Sequence, residues 1–299
     1  VVGDFNLWQT LVNFLFLPPD KTNLYMSTKL LQGKKGIIFG ALDEKSIAWK
    51  TALKCYEAGA EIILTNAPVA IRMGEINKLS EMCGNAPVIE ADVTHLDELK
   101  NLFTKSMEHF GGKIDFVLHS VGMSMNMRKN HHYTGISYTW NHKTLDISSL
   151  SLHKVLHTAW NLDAISDWGS VVALTYIAAQ RVFPDYNEMA DAKALLESIT
   201  RNFGYHYGVR NKVRINTVSQ SPTRTTAGSG VKGFDGFISF AEEMSPLGNA
   251  SAEACAEYCV TLFSDLTRYV TMQNLFHDGG FSFTGVTQGV IDKIEKGMQ

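Results

Sequence analysis

Three side chains stand out for the chemistry their spacing allows. Tyr186 and Lys193 are seven positions apart, and on a helix seven residues make two turns, so the two side chains share one face. An ammonium held beside a phenol lowers its pKa below the free value of about 10 and makes it a better proton donor. Tyr176 closes the apolar run Ser170-Val171-Val172-Ala173-Leu174-Thr175, so its ring can meet that of Tyr186. Two buried tyrosines and a solvated lysine would give the same string, and the surrounding elements must decide.

From Lys34 onward, short aliphatic runs alternate with amphipathic stretches. Gly36 to Gly40, Glu61 to Thr65, Pro87 to Ala91, Ile114 to His119, Ser170 to Thr175, Val213 to Val218 and a last run near Gln273 to Phe276 read as buried strands. Ser46 to Ala58, Val69 to Cys83, Leu96 to Phe110 and a long stretch from about Tyr186 read as helices. Strands separated by helices of ten or more residues imply crossover connections and a parallel sheet covered on both faces. The expected fold class is α/β: a single doubly wound Rossmann-type domain with a parallel sheet. It runs over residues 26–299, and residues 1–25 are expected to be an extension outside the fold.

In such a sheet a ligand binds beyond the carboxyl ends of the strands. The first strand exits into Gly40-Ala41-Leu42-Asp43-Glu44-Lys45-Ser46-Ile47-Ala48. This turn has one glycine where the common dinucleotide pattern has three. The helix starting near Ser46 still offers free N–H groups and a positive dipole end to a diphosphate. Asp92-Val93 follows the third strand, where a carboxylate can accept from an adenine amino group. Ser120-Val121-Gly122 follows the fourth, where a glycine lets the backbone approach a ribose.

These segments, with Asp146-Ile147-Ser148-Ser149, Ser221-Pro222-Thr223-Arg224-Thr225 and His277-Asp278-Gly279-Gly280-Phe281, carry a resemblance. From about Leu30 to Gly285 the chain resembles the enoyl-acyl-carrier-protein reductases of bacterial fatty-acid synthesis, a branch of the short-chain dehydrogenase/reductase superfamily. Tyr and Lys with six residues between them mark that branch, because the wider superfamily has three between them. The resemblance implies hydride transfer from NADH to a trans-2-enoyl thioester on acyl carrier protein, in a cytoplasmic homotetramer. Tyr186 would steady the enolate, Lys193 would hold the nicotinamide ribose, and Tyr176 would orient the acyl chain. Ser124 matches a substrate contact. Gly40, Ser46, Ile47, Ala67, Asp92, Val93, Ser120, Val121 and Gly122 fall at cofactor positions, with Thr223, Arg224, Thr225, Thr226 and Ala227 near the diphosphate and the nicotinamide amide.

Relatives place a Gln where this chain has Ala67, so NADPH stays open beside NADH. The 2′-phosphate of NADPH wants an Arg or Lys at the end of the second strand. The turn offers only Asn66 and Ala67, and Arg72 should point outward, so a modest preference for NADH is expected. Residues 222–244 place Gly228, Gly230, Gly233 and Gly236 among Phe234, Phe237, Ile238 and Phe240; apolar side chains on a glycine-jointed segment suggest a lid over an acyl chain. A carbonyl reductase of the same superfamily and a non-catalytic dinucleotide-binding redox sensor are the alternatives.

Bulk properties agree with an ordinary globular enzyme: 45% of the 299 residues are hydrophobic, 19% are charged, and the net charge is −3. That balance argues against a nucleic-acid partner or a polybasic membrane contact. No apolar run reaches the ~18 residues that span a bilayer. Cys55, Cys83, Cys255 and Cys259 are too few and too scattered for a disulfide framework, Cys255 and Cys259 read as buried structural thiols, and a reducing compartment fits. His131-His132 lacks a carboxylate cluster, so no metal is expected, and Met123 to Trp140 reads as a solvated loop.

Overall fold

The computed structural model describes residues 29–226 and 233–298. The expected extension over residues 1–25 lies outside the described residues, as do Ala227, Gly228 and Gly230. Six parallel strands form the sheet: β1 (Lys35–Phe39), β2 (Glu61–Thr65), β3 (Ile114–His119), β4 (Ile165–Thr175), β5 (Arg214–Gln220) and β6 (Asn274–His277). Their spatial order is β2-β1-β3-β4-β5-β6, so the order reverses between β1 and β3. There the crossovers diverge and leave a crevice.

Strand side chains alternate between two cores. Ile37, Phe39, Val117, Val171, Ala173 and Ile215 face one. Helices α4 (Leu96–Phe110), α7 (Ser151–Asn161) and α8 (Met189–Asn211) cover that side through Leu102, Phe103, Leu156, Leu196 and Tyr207. Ile38, Ile62, Leu64, Phe116, Leu118 and Val172 face the other core. It is covered by α1 (Ile47–Glu57), α3 (Ile76–Met82) and α10 (Ala252–Phe263), through Trp49, Ala52, Leu79, Cys259 and Phe263. All four cysteines are free and buried.

The structure corrects three expected elements. The helix expected over Val69 to Cys83 is two, α2 (Pro68–Met73) and α3. They part at Gly74, whose backbone is extended; a side chain there would meet the Leu42 carbonyl oxygen at 2.6 Å, and Glu75 N–H donates to that same oxygen at 2.9 Å. The strand expected over Pro87 to Ala91 shrinks to a single bridge between Leu64 and Val88, since Pro87 has no N–H to extend the ladder. The long helix begins at Met189 rather than near Tyr186, which lies in a separate 3₁₀ turn, Pro184–Tyr186. The remaining connections are short helices α5 (Met125–Arg128), α6 (Tyr138–Leu145), α9 (Phe234–Met244) and α11 (Gln288–Gly297). Among the described residues no helix is long and apolar enough to cross a membrane.

Gly40 is what lets the crevice close at its base. Its φ is +92°, and a Cβ would sit 2.0 Å from the Ser120 carbonyl oxygen at the end of β3. Gly40→Ala therefore combines a left-handed backbone with a clash against main chain. It should lower unfolding free energy by about 2–4 kcal/mol in urea titration. An unchanged midpoint would mean that β1 and β3 can part without loss.

Candidate active site

Tyr176 leaves the end of β4, and Tyr186 comes back over it from the 3₁₀ turn; their ring centroids are 5.0 Å apart. Phe183 and Phe237 complete an aromatic cluster, with Phe237 edge-on to Tyr176 at 6.3 Å and to Phe183 at 5.1 Å. The Tyr176 hydroxyl is buried and has no hydrogen-bond partner. Burial pushes both phenols up from their ordinary value, so both stay protonated and act as donors. This corrects the expectation that Lys193 lowers the Tyr186 phenol.

Lys193 is otherwise engaged. It lies within the first turns of α8, and its Nζ donates to the Leu174 carbonyl at 2.7 Å. Burial lowers its pKa to about 8, opposed by the charge of Glu197 one turn on. Glu197 is raised, first by burial. It accepts from Thr175 Oγ1 at 2.9 Å, Gln180 Nε2 at 3.2 Å and Asn274 Nδ2 at 3.1 Å, so it braces the end of β4 beneath the tyrosines. An ammonium using one N–H on Leu174 keeps two for a ligand.

The turn between Tyr186 and α8 is built by side chains. Asn187 takes φ +53° with ψ −145°, outside the left-handed helical region and strained for a residue with a side chain. Its Oδ1 accepts from the Glu188 N–H at 2.9 Å, and its Nδ2 donates to the His131 carbonyl at 2.5 Å. Glu188 is fully buried. Its Oε1 accepts from Ser124 Oγ at 2.6 Å, Thr144 Oγ1 at 2.9 Å and Asn126 Nδ2 at 3.2 Å, while Oε2 has no partner. The expected solvated loop is thus pinned to the Tyr186 turn at several points, although Arg128 to Gly135 is exposed throughout.

Two adjoining cavities meet at Ile47, Gly122, Lys193 and Thr225. One is a cleft along the strand ends, lined also by Gly40, Ser46, Ala67, Asp92, Val93, Ser120, Val121 and Thr226. The other is the aromatic chamber, which takes in Ser124, Tyr176, Tyr186 and Thr223. Two expected cofactor residues do not join them. Arg224 is exposed, ion-paired with Asp235, and lines neither cavity; Ala227 lies outside the described residues. Sequence reasoning missed Arg128, which lines both cavities, and Lys143, which lines the cleft. The only signal for them was a run of cations without intervening acids.

The cleft suits a dinucleotide. Ser46 caps α1, accepting from Trp49 N–H at 3.2 Å, and the first-turn N–H groups of Ile47 and Ala48 have no helical acceptor. A Cβ on Gly122 would find nothing nearer than 3.8 Å, so the fold does not need a glycine there, and its bare backbone stays open to a ligand. The buried hydroxyl of Thr65 lines the cleft without a partner. Asp92 spends Oδ1 on Thr94 N–H at 2.9 Å and on the Thr94 hydroxyl at 2.7 Å, which leaves Oδ2. Asn66 is closed on itself: Nδ2 donates to the Ala41 carbonyl and Oδ1 accepts from Ala67 N–H, both at 2.9 Å. Arg72 is exposed and absent from the cleft lining, so α2 brings no cation to a 2′-phosphate. Among the described residues no group of three His, Cys, Asp or Glu gathers to hold a metal.

The family model for enoyl-(acyl carrier protein) reductase matches residues 40–282. The chain belongs to the enoyl-acyl-carrier-protein reductases. An enoyl-acyl-carrier-protein reductase [NADH] FabI of Rickettsia typhi is 33% identical over 261 residues, covering 87% of this chain and 98% of that protein. The enoyl-acyl-carrier-protein reductase [NADH] 1 of Rhizobium meliloti is 34% identical over 86% of this chain and 93% of its own length. The FabI–NADH complex from Alistipes finegoldii superimposes with a TM-score of 0.85 at 63% identity, covering 87% of this chain and 91% of that one. Within this reductase family fold, Lys193 sits at the junction of the two cavities and the Tyr176–Tyr186 pair lines the chamber beside it.

The depressed Lys193 gives a testable linkage. Its folded pKa is about 8 against an ordinary value of 10.5, so the unfolded chain binds the proton more tightly. The penalty for burying the ammonium is complete below about pH 8 and is relieved as pH rises toward 10.5. Relative to wild type, Lys193→Met should therefore be more favourable in urea unfolding at about pH 7 than at about pH 10. A stability gap independent of pH would show that the ammonium is not strained.

Proposed function

We propose that this protein reduces the carbon–carbon double bond of a trans-2-enoyl thioester carried on acyl carrier protein, with NADH as reductant, in fatty-acid synthesis. The observation that carries the reading is the pair of protonated, packed tyrosines that line one apolar chamber with Lys193, where a dinucleotide cleft opens into it. NADH supplies a hydride to C3 of the enoyl group. Everything else falls to the chain.

As C3 is reduced, negative charge develops on the thioester oxygen, and the resulting enolate takes a proton from water at C2 to give the saturated thioester. Tyr186 donates a hydrogen bond to that oxygen, an interaction that strengthens as charge builds and so acts on the transition state. Its raised pKa suits this role, because the phenol holds its proton while polarising the substrate. Tyr176 offers an apolar ring face to the acyl chain and an unpartnered hydroxyl to the thioester end. Lys193 gives its two remaining N–H groups to the ribose diol while Leu174 fixes its position. Gly122 and Ser120 admit the ribose, Gly40 and α1 take the diphosphate, and Thr223, Thr225 and Thr226 close over it. Ser124 forms the chamber wall, its hydroxyl already committed to Glu188.

Residues 222–244 serve as the lid. Their helix α9 puts Phe237 into the aromatic cluster, and Thr226 donates to Asp43 across the phosphate turn. A homotetramer fits the exposed apolar side chains Leu247, Tyr269 and Phe283, and four free thiols fit the cytoplasm.

The test is NADH oxidation, followed at its absorbance band, with a crotonyl thioester. Tyr186→Phe should lower kcat by roughly 10²–10⁴-fold and leave NADH affinity nearly unchanged. A wild-type rate in that variant, or oxidation with acetoacetyl but not crotonyl thioester, would overturn the assignment.

A further inference from the structure

Charge is distributed unevenly about the mouth of the two cavities. From Ser120 to Leu145 the chain holds Arg128, Lys129, Lys143 and three histidines, and no Asp or Glu. Across the mouth the acids of α9 are already engaged: Asp235 pairs with Arg224, Glu243 with Lys293, and Glu242 accepts from the Asn249 N–H. The net charge of −3 conceals this local excess of cations. On the basic side, Arg128, Lys129, His131 and His132 belong to one continuous exposed stretch, and Tyr133 and Tyr138 stand 49% and 73% exposed beside it. Neither Arg128 nor Lys129 takes part in an ion pair among the described residues. Two acids lie near: Asp191 of α8, which accepts from the Tyr133 hydroxyl at 3.1 Å, and the buried Glu188, which accepts from Asn126 at 3.2 Å.

We propose that the stretch from Arg128 to Tyr138 is the docking surface for the protein that carries the acyl thioester, and that it receives an acidic face of that carrier. The proposal rests on the enoyl-thioester reading above and names where its protein partner binds. Charge complementarity is the argument: an acidic carrier is attracted to the α5–α6 side of the mouth, where Arg128 and Lys129 are exposed without an ion pair among the described residues, rather than to the α9 side, where the charges are paired. This biases its orientation as well as its rate of arrival. Arg128 reaches from this surface into both cavities, so a carrier seated here stands over the chamber its acyl chain must enter. The surface is also fastened to the Tyr186 turn through the Asn187–His131 contact. Docking therefore bears on the turn that carries Tyr186.

The test separates docking from turnover. Binding of a dye-labelled acyl carrier protein to the full chain is measured by fluorescence anisotropy at low ionic strength, for wild type, Lys129→Ala, Lys129→Glu and Lys105→Glu. Lys105 is an exposed cation of α4 outside both cavities, and its reversal changes the net charge equally. Lys129→Glu should weaken binding about tenfold and Lys129→Ala by less, with Lys105→Glu near wild type and the differences fading in high salt. Steady-state kinetics should show the same rise in KM for crotonyl-carrier, with kcat and KM for crotonyl-N-acetylcysteamine unchanged. Equal affinity in wild type and Lys129→Glu, or equal weakening by Lys105→Glu, would overturn the proposal. Failure of the enoyl-reductase reading would look different: no NADH oxidation with either thioester, whatever the binding data.

Discussion

The site depends on a buried ammonium. Lys193 reaches the end of β4 from α8 and bonds the Leu174 carbonyl, which joins helix to sheet at the place where the reacting groups must meet. A charge so placed is expensive unless hydrogen-bonded, and the fold meets that demand with a carbonyl on one side and Glu197 on the other. Glu197 in turn holds Thr175, Gln180 and Asn274. The last residues of β4, the loop after Tyr176 and the start of β6 are therefore set by the same need. Tyr176 is where it is because the strand below it cannot shift without uncovering that charge.

Much of this was legible in the sequence because parallel strands announce themselves. Ile37-Ile38-Phe39 and Phe116-Val117-Leu118 are buried on both faces, so they read as unbroken apolar runs, and the residues just past them are bound to line the crevice. Gly40, Asp92 and Ser120 to Gly122 could be placed on that ground alone. The less legible parts turn on three-dimensional competition. Nothing in Tyr-x6-Lys says that the lysine will spend a proton on Leu174, or that burial will raise the phenol instead of lowering it. Pro184 and Asn187 were visible, yet helical periodicity outweighed them, and α8 starts after both. Arg128 and Lys143 were missed because their approach to the cleft follows from the path of an irregular segment, and that path is fixed by the side chain of Glu188.

Glu188 has one more consequence. A single carboxylate oxygen gathers Ser124, Asn126 and Thr144, from three places in the segment that walls the chamber, and delivers them to the turn that carries Tyr186. An apolar residue at 188 would take the shared acceptor from three polar side chains and leave them only their local backbone partners at Met127, Ser137 and Trp140, and an apolar residue at any one of the three would leave the carboxylate short of donors. Inheritance in this enzyme should then treat the four positions as one character. A lineage that remodels the wall for a different acyl chain has to rewrite them together, through intermediates less stable than either end, so the wall is expected to change rarely and in blocks.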